Sequence, residues 1–478
     1  MSKRKQTIEQ RQKQVISRLK NENAGLREIN RKQSIKIQEL EEKLETALLH
    51  IEELQKYVFR GKKKDDGDKD DKKDGDKKNN SGNGKKRDNQ SYRRPIPEED
   101  DITDEEIHDI KYCPDCDTPL TRLKLLEFYE EDILPMKGWF DELKKVKRIK
   151  IRTGYCPHCK KRYSPVPIPK QKVFLGENIR KLIVFQYTVQ QLSYSQILDF
   201  SEGILQVNIS KGEIVRILDD QANNLGRAYD DLLKSIRGQA GVHMDESGWN
   251  VAKHDKYSGN YVWAMTGIET ADTIYRFGQN RGIGNVKKLL GDDFKGIGIT
   301  DDYGAYKNSF KKDKHALCWA HPNRKLRDLK NSKHLTAKKR KNCETAFIKF
   351  GEIYREVREI VNTPFNEKAR MEDNRLLMKK FRKIIAVQKN DTLKLQKIKK
   401  RLQEQIGCYF ICVLNPNIPA DNNKAERALR HLVIKRKKSF GSKTPKGAKT
   451  MSVLYSVVMS LWWRSKPGFF QAYDEVLA

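Results

Sequence analysis

The chain has 478 residues, with 97 Lys and Arg against 65 Asp and Glu, which gives a net charge of +32. This length allows several domains and a large core. The charge suits a polyanion, because Lys and Arg contacts to phosphate dominate nucleic-acid affinity. High basicity also occurs in proteins that associate with ribosomes or only need solubility, so charge alone does not decide the function.

Segments that cross or enter membranes are not expected. No apolar run approaches the roughly 20 residues of a membrane span, and the charged N-terminal residues lack a signal-peptide core. Eight cysteines, four of them in two close pairs, indicate metal binding in a reducing compartment rather than a disulfide framework. We therefore expect a cytoplasmic protein.

Residues 1–60 carry a heptad pattern without proline, which predicts a coiled coil. The a positions are Ile16, Asn23, Asn30, Ile37, Leu44, Ile51 and Val58, and the d positions are Leu19, Leu26, Gln33, Leu40, Ala47 and Leu54. Asparagine at two a positions favours a parallel homodimer in one register. The alternative is a single amphipathic helix folded onto its own protein, for which a stripe of two residues in seven is narrow.

Residues 61–106 are predicted to be a disordered charged linker, because Lys, Asp, Gly, Asn and Ser dominate and no core can form. Residues 107–170 carry two Cys-x-x-Cys pairs, Cys113 with Cys116 and Cys156 with Cys159. Four thiolates suit tetrahedral Zn²⁺, and alternation in 127–133 and 144–151 predicts the strands of a zinc ribbon. A redox pair is the alternative for these cysteines.

A basic strip accompanies the ribbon, and it favours DNA contact over a purely structural zinc site. Its residues are Lys144, Lys145, Lys147, Arg148, Lys150 and Arg152. Residues 171–236 are predicted to be helical. Ser193 begins one helix, and Ser210 with Glu213 predicts a capping box that begins another. A helix-turn-helix that reads DNA and simple packing fit this segment equally well.

Three acidic residues in separate motifs are the strongest candidates for chemistry. Asp245 follows the apolar run 241–244 and Asp301 follows 296–300, so both are predicted at strand ends. Glu426 lies in a predicted helix with Asp421 and Asn422 as N-cap candidates. Each residue alone fits a turn or a cap. Together, within a basic protein, they suggest a carboxylate cage for two divalent metals acting on a phosphodiester.

Four motifs together resemble the DDE transposases of the insertion sequence 66 family. They are His-Met-Asp-Glu-Ser-Gly-Trp (243–249), Thr-Asp-Asp-Tyr-Gly-Ala-Tyr (300–306), Cys-Trp-Ala-His (318–321) and Asp-Asn-Asn-Lys-Ala-Glu-Arg-Ala-Leu-Arg (421–430). The resemblance implies a ribonuclease H-like fold and carries the catalytic triad to Asp245, Asp301 and Glu426. Asp302 is the competing carboxylate, and Tyr303 and Tyr306 favour Asp301 by their spacing.

The fold class predicted from the resemblance and the patterns is multidomain α/β. It comprises the coiled coil, the zinc ribbon, the helical DNA-binding segment and a ribonuclease H-like catalytic domain (237–325 and 413–442) with a helical insertion (326–412), followed by C-terminal helices (443–478). Cys318 and His321 could form a metal pair, but a motif that shapes the site is favoured. Candidate DNA contacts are Arg324, Arg427, Arg430, Lys435 and Arg436.

The function implied is metal-dependent cleavage and strand transfer of an insertion sequence, with two Mg²⁺ (or Mn²⁺) ions at the triad and a structural Zn²⁺. Partners would be transposon-end DNA, target DNA and a second copy of the chain, with accessory proteins left open, in a prokaryotic, nucleoid-associated setting. The alternatives are a non-catalytic zinc-ribbon DNA-binding protein and a ribonuclease H-like nuclease that cuts without joining.

Overall fold

The computed structural model describes residues 2–59, 94–133, 144–251 and 260–477. Within these ranges the chain is mixed α/β, with fifteen α-helices and two mixed sheets. None of the helices described is long and apolar enough to cross a membrane. The chain divides into two compact units, one of residues 1–75 with 316–421 and one of residues 76–315 with 422–478. Residues 61–93 of the predicted linker lie outside the described residues.

The first unit begins with helix α1, Ser2–Phe59, which is continuous as the heptad pattern predicts. Leu19, Leu26 and Leu40 of the predicted a and d stripe are exposed. Toward the end of α1, Leu49 is buried and Glu52 accepts a hydrogen bond from Ser332, so this end packs within its own unit. The helix is therefore confirmed, and its pairing with a second copy stays a prediction.

The rest of the first unit is helical. Its helices are α8 (Ala320–Lys330), α9 (Ala337–Asn362), α10 (Glu367–Ile384), α11 (Leu393–Glu404) and α12 (Ile406–Leu414). Trp319 is fully buried at the centre, where its indole Nε1 donates to Tyr409 O at 2.7 Å and its ring contacts Phe350 and Phe381. The Cys-Trp-Ala-His motif thus supplies the core of this unit. Cys318, Cys343, Cys408 and Cys412 are all buried, as apolar packing residues would be.

The second unit begins with a sheet of five strands in the described residues, in the order β1-β3-β2-β5 with β4 beside β3. The strands are β1 (Asp104–His108), β2 (Thr121–Ile133), β3 (Lys144–Cys156), β4 (Lys161–Tyr163) and β5 (Val173–Leu175). The β2–β3 hairpin is the one that the alternation predicts. The predicted linker is wrong for its described end, because β1 pairs with β3 and Arg94 pairs with Glu131 and Glu213.

Four helices follow, and they are α2 (Glu177–Thr188), α3 (Tyr194–Gly203), α4 (Lys211–Asn224) and α5 (Gly226–Arg237). Ser193 and Gln196 form a full capping box at the start of α3. Ser210 accepts from the backbone of Glu213 at the start of α4. The carboxylate of Glu213 pairs with Arg94 instead of returning to Ser210, so the capping box predicted here is only half formed.

The second sheet has the strand order β10-β9-β6-β7-β8. Its elements along the chain are β6 (Gly241–Gly248), β7 (Tyr261–Gly267), β8 (Thr273–Gly278), α6 (Ile283–Leu290), β9 (Ile297–Thr300), α7 (Gly304–Lys307) and β10 (His315–Leu317). Strands β6, β7 and β8 form an antiparallel meander, and β9 returns parallel to β6 after α6. The order along the chain is therefore three strands, a helix and a fourth strand that lies beside the first.

Helices cover both faces of this sheet, and alternate residues of each strand enter separate cores. On β7, Trp263 and Met265 pack with α5 and α6, whereas Val262 and Ala264 pack on the other face. The chain ends in α13 (Asn423–Ser439), α14 (Pro445–Arg464) and α15 (Phe469–Leu477). These helices pack with α2 and α4 in the core on the face of the sheet that Val262 and Ala264 enter. Residues 171–236 are therefore part of this unit's core.

The tryptophans of this unit differ in burial. Trp249 and Trp263 are fully buried. Trp462 is half-buried against Phe185 and Phe469, but Trp463 is 43% exposed. The two differ because neighbouring residues on α14 point in different directions.

Candidate active site

The parallel ladder between β6 and β9 brings two of the three candidate carboxylates to the same level of the sheet. Gly241 pairs with Ile297 and His243 with Ile299. The pairing ends there, and the same register continued by two residues would set Asp245 opposite Asp301. The negative charge of Asp301 acts on the Asp245 carboxyl, which agrees with this position. The carboxylates follow buried strands because the apolar runs 241–244 and 297–300 fill the sheet interior.

Alternation along β6 assigns Asp245 and Glu246 to opposite faces. Val242 and Met244 belong to the core beneath α5 and α6, and Glu246 shares their parity. His243 and Asp245 point to the other face, where His243 contacts Asn422 at the start of α13. Asp245 and Glu426, one turn into α13, are thus on the same side of the sheet. Glu246 lies on the opposite face of the strand.

Asn422 fixes the helix that carries Glu426. Its amide Nδ2 donates to Met244 O at 2.7 Å, and its Oδ1 lies 3.0 Å from His243 Nδ1. Because the amide oxygen only accepts, the imidazole Nδ1 carries the proton in this pair. Asn422 occupies the N-cap position, yet its side chain makes no cap hydrogen bond, because it binds the strand instead. The sequence did not reveal His243 as the partner of Asn422. The available signal was that His243 lies two residues before Asp245 and so points to the same face of the strand.

The carboxylates interact electrostatically. Burial, together with the negative charges of Glu246, Asp301 and Glu426, raises the pKa of Asp245 to about 8. Within the described residues, however, three carboxylates with ligand oxygens all within 4.8 Å of one another do not occur. The arrangement is therefore an open cluster of like charges. Its all-oxygen donor set fits hard cations such as Mg²⁺ or Mn²⁺, whose charge would offset the repulsion.

A second network lies on the other face of β6. The Tyr306 hydroxyl donates to Glu246 Oε2, and Arg281 Nε donates to Glu246 Oε1 at 2.7 Å. The Arg281 guanidinium also lies 3.7 Å from the centre of the Tyr303 ring. Asp301 Oδ1 accepts from the backbone N–H of Tyr303 at 2.9 Å, which fixes the turn after β9. Sequence reasoning used the two tyrosines only as spacing markers and missed Arg281.

The four paired cysteines form a compact cluster. Their Sγ atoms all lie within 4.8 Å of one another. Distances of 3.8 Å for Cys113–Cys159, 3.6 Å for Cys116–Cys156 and 3.4 Å for Cys116–Cys159 are close to the edge of about 3.8 Å in a tetrahedron with 2.3 Å Zn–S bonds. The cluster can hold zinc. Cys113 and Cys116 lie in the turn before β2, and Cys156 and Cys159 lie at the end of β3 and in the turn after it.

The basic strip beside this cluster is paired with acidic residues. Lys145 pairs with Asp104, Lys147 with Glu106 and Glu130, Arg148 with Glu99 and Glu105, Lys150 with Glu105, and Arg152 with Asp109. Most of these partners come from β1 and the residues before it, which the sequence had assigned to a linker. The strip is therefore largely neutralised, and it favours DNA contact less than its sequence suggests.

The predicted DNA contacts differ in exposure. Arg427 and Arg430 are exposed on α13. Lys435 is buried, and its Nζ donates to the carbonyls of Tyr187 and Leu192, so the prediction that it contacts DNA is wrong. Arg436 donates to Ser247 Oγ at 3.2 Å and to the carbonyl of Gly248, and it thereby binds α13 to the end of β6.

Arg324 and His321 belong to the other unit and are described there alone. The Arg324 guanidinium lies 3.1 Å from His321 Nε2. Both side chains are half-buried. Among the described residues, no third ligand forms a compact metal-binding group with Cys318 and His321.

Comparison with known families agrees with the motifs. The model of the IS66 transposase family matches residues 172–450, more than half of the chain. The chain therefore belongs to the IS66 family of transposases. A search of curated proteins finds no match. The matched range contains the second sheet, helices α8–α12 and α13, but not α1 or the cysteine cluster.

Proposed function

We propose that the protein is a DDE transposase that cleaves and joins DNA at the ends of an insertion sequence, with Asp245, Asp301 and Glu426 as its catalytic residues. The observation that carries this proposal is the convergence of elements in the second unit. The β6–β9 register, continued by two residues, would set Asp245 opposite Asp301, and Asn422 attaches the helix of Glu426 to β6 at Met244. The proposed fold of this sheet and its helices is ribonuclease H-like.

The reaction consists of two phosphoryl transfers at one site. In the first, water attacks a phosphodiester at the transposon end, and the bond to the 3′ oxygen breaks to leave a 3′-hydroxyl. In the second, that hydroxyl attacks a target phosphodiester and displaces its 3′ oxygen. Two Mg²⁺ or Mn²⁺ ions held by the triad would stabilise charge on the attacking and leaving oxygens. No protein–DNA covalent bond is needed.

The chain's own groups have distinct tasks in this scheme. Asp245, Asp301 and Glu426 provide the oxygen ligands, and ionisation of Asp245 against its raised pKa is favoured by cation binding. Asn422 and Arg436 hold α13 against β6 at two levels. Exposed Arg427 and Arg430 on the same helix are suited to phosphate contacts.

The other segments are assigned as follows in this proposal. Helix α1 forms a parallel coiled-coil homodimer through its exposed heptad stripe. The cysteine cluster holds structural Zn²⁺ in a ribbon that begins at Arg94 rather than at residue 107. The helical insertion runs from α8 to α12. The protein would act on nucleoid DNA in a prokaryotic cytoplasm.

A cleavage and joining assay on DNA with the element's own ends tests the proposal. The expected result is a strand-transfer product in Mg²⁺. Cleavage without joining would instead identify a nuclease, and binding without cleavage would identify a DNA-binding protein without catalysis. Arbitrary DNA is unsuitable as substrate, because end recognition precedes chemistry in this scheme.

A further inference from the structure

Phe440 is an exposed aromatic residue whose backbone conformation is unusual for a bulky side chain. Its side chain is 81% exposed. It ends α13 in the left-handed conformation, with φ 58° and ψ 4°. This region is sterically costly for a bulky residue, and Gly or Asn are its usual occupants. Folding therefore gains little from a phenylalanine here, which points to a role outside the folded core.

The turn that carries Phe440 is held firmly in place. Its backbone N–H donates to Arg436 O at 2.7 Å, and the N–H of Ser442 donates to Asn250 O at 2.9 Å. Trp249 Nε1 donates to Ser442 Oγ at 3.0 Å. Between them, Gly441 has φ +122°, and a Cβ there would lie 2.2 Å from Asn250 O. The ring is thus presented from a rigid turn, which lowers the entropy cost of stacking.

Cations surround the exposed ring along the chain. Lys437, Lys438 and Lys443 are exposed within three residues of it, whereas Lys446 pairs with Asp219 at 2.7 Å. An apolar protein partner would gain little from such a rim, whereas a DNA strand supplies both phosphates for the lysines and bases for the ring. Charge complementarity therefore favours nucleic acid.

The turn lies near the proposed catalytic residues. It docks on Asn250 and Val251, five and six residues beyond Asp245 on the same strand and its continuation. At roughly 3.3 Å per residue, the backbone from Asp245 to Val251 spans at most about 20 Å. At about 3.4 Å per nucleotide of a DNA strand, Phe440 can reach a base within about six nucleotides of the cleaved phosphodiester.

We propose that Phe440 stacks on an unpaired base of the DNA strand, within about six nucleotides of the cleavage position. This inference rests on the proposed function. The ring would enter the stack as apolar wedges do in other DNA complexes, or hold a base already unpaired by cleavage. The neighbouring lysines would hold the strand's phosphates.

Photo-crosslinking tests the contact directly. Terminal DNA of the element is prepared with 5-iodouracil at single positions within ten nucleotides of the cleavage site, and the full-length Asp245→Asn protein is used so that the DNA stays intact. The expected result is a crosslink to Phe440 from positions within about six nucleotides. Bound DNA that crosslinks only to other residues would overturn the inference and leave the transposase proposal untouched. If the wild-type protein does not bind this DNA, both proposals fall.

Substitutions separate stacking from a structural role. Phe440→Trp should retain affinity for terminal DNA carrying an unpaired base, while Phe440→Leu and Phe440→Asn should lose about tenfold, as loss of one base–aromatic stack does. Phe440→Asn should keep or raise the Tm, because Asn tolerates the left-handed backbone. The control Phe470→Ala, a 42% exposed residue on α15, should bind normally.

Two results would contradict the stacking role. Wild-type DNA affinity of Phe440→Leu would exclude the aromatic contact. A lowered Tm of Phe440→Asn, with a smaller oligomeric mass, would show that Phe440 instead contacts protein in a second copy of the chain.

Discussion

Asn422 and His243 are joined by a 3.0 Å side-chain contact although they lie 179 positions apart. The same amide donates to the carbonyl of Met244, the residue before Asp245. The helix of Glu426 is therefore registered against the strand of Asp245 by one buried side chain. This contact explains how a glutamate beyond a long helical insertion returns to the two aspartates.

Loss of this amide should impair chemistry more than DNA binding. In Asn422→Ala, α13 is no longer tied to β6, and displacement of a reacting group by about 1 Å costs roughly 100-fold in rate. Cleavage of terminal DNA should fall by about that factor while affinity stays close to wild type. The double variant His243→Ala/Asn422→Ala should lose no more than the worse single variant, because the two residues act as a unit. Fully additive losses would show that they act independently.

Removal of zinc should unfold the ribbon without affecting the catalytic sheet directly. Cys116→Ser and Cys156→Ser each leave three thiolates, so zinc content should fall from one ion per chain to near zero, as measured by elemental analysis. Cys343→Ser, a buried cysteine elsewhere, should keep the zinc. If chelation leaves binding to terminal DNA intact, the ribbon is structural only. That result would agree with the ion pairs that neutralise its basic strip.

Lys435 should make stability depend on pH. Burial, assisted by the charge of Lys438, lowers its pKa to about 7. Between pH 7 and 10 the unfolded chain would bind the proton that the folded chain lacks, so the folded state gains stability as the pH rises. Relative to Lys435→Met, the free energy of unfolding of the wild type should rise by at most about 1.4 kcal/mol per pH unit. Urea unfolding at pH 7, 8 and 9 measures this.

A flat difference between the two proteins would contradict this expectation. It would mean that the Tyr187 and Leu192 carbonyls and the Tyr187 ring, 3.8 Å from Nζ, keep Lys435 charged across the range.

The heptad stripe of α1 should set the oligomeric state. Leu26→Glu with Leu40→Glu places charge at two d positions and should reduce a dimer to a monomer in sedimentation experiments. Gln38→Glu, outside the stripe, should leave the mass unchanged. A wild-type chain that sediments as a monomer would show that the exposed leucines do not pair.

The sequence predicted the second sheet well because its strands are short apolar runs ended by Asp and Gly. The opposite faces of Asp245 and Glu246 follow from the alternation of a strand, whereas the position of β9 beside β6 follows from the ribonuclease H-like resemblance. The buried state of Lys435 and the Asn422–His243 contact could not be predicted, since both depend on which distant residues meet in three dimensions. The acidic residues at 99–106 were assigned to a linker because their pairing partners lie some forty positions away on β3.

The central claim is that Asp245, Asp301 and Glu426 form one catalytic site, and a strand-transfer assay of single variants tests it most directly. Asp245→Asn, Asp301→Asn and Glu426→Gln should each lower cleavage and joining of the element's ends in Mg²⁺ by about a thousandfold or more, since metal-ion catalysis contributes several kcal/mol. Each variant should still bind this DNA, and Asp302→Asn should remain active. An active Asp301→Asn protein with an inactive Asp302→Asn protein would contradict the assignment.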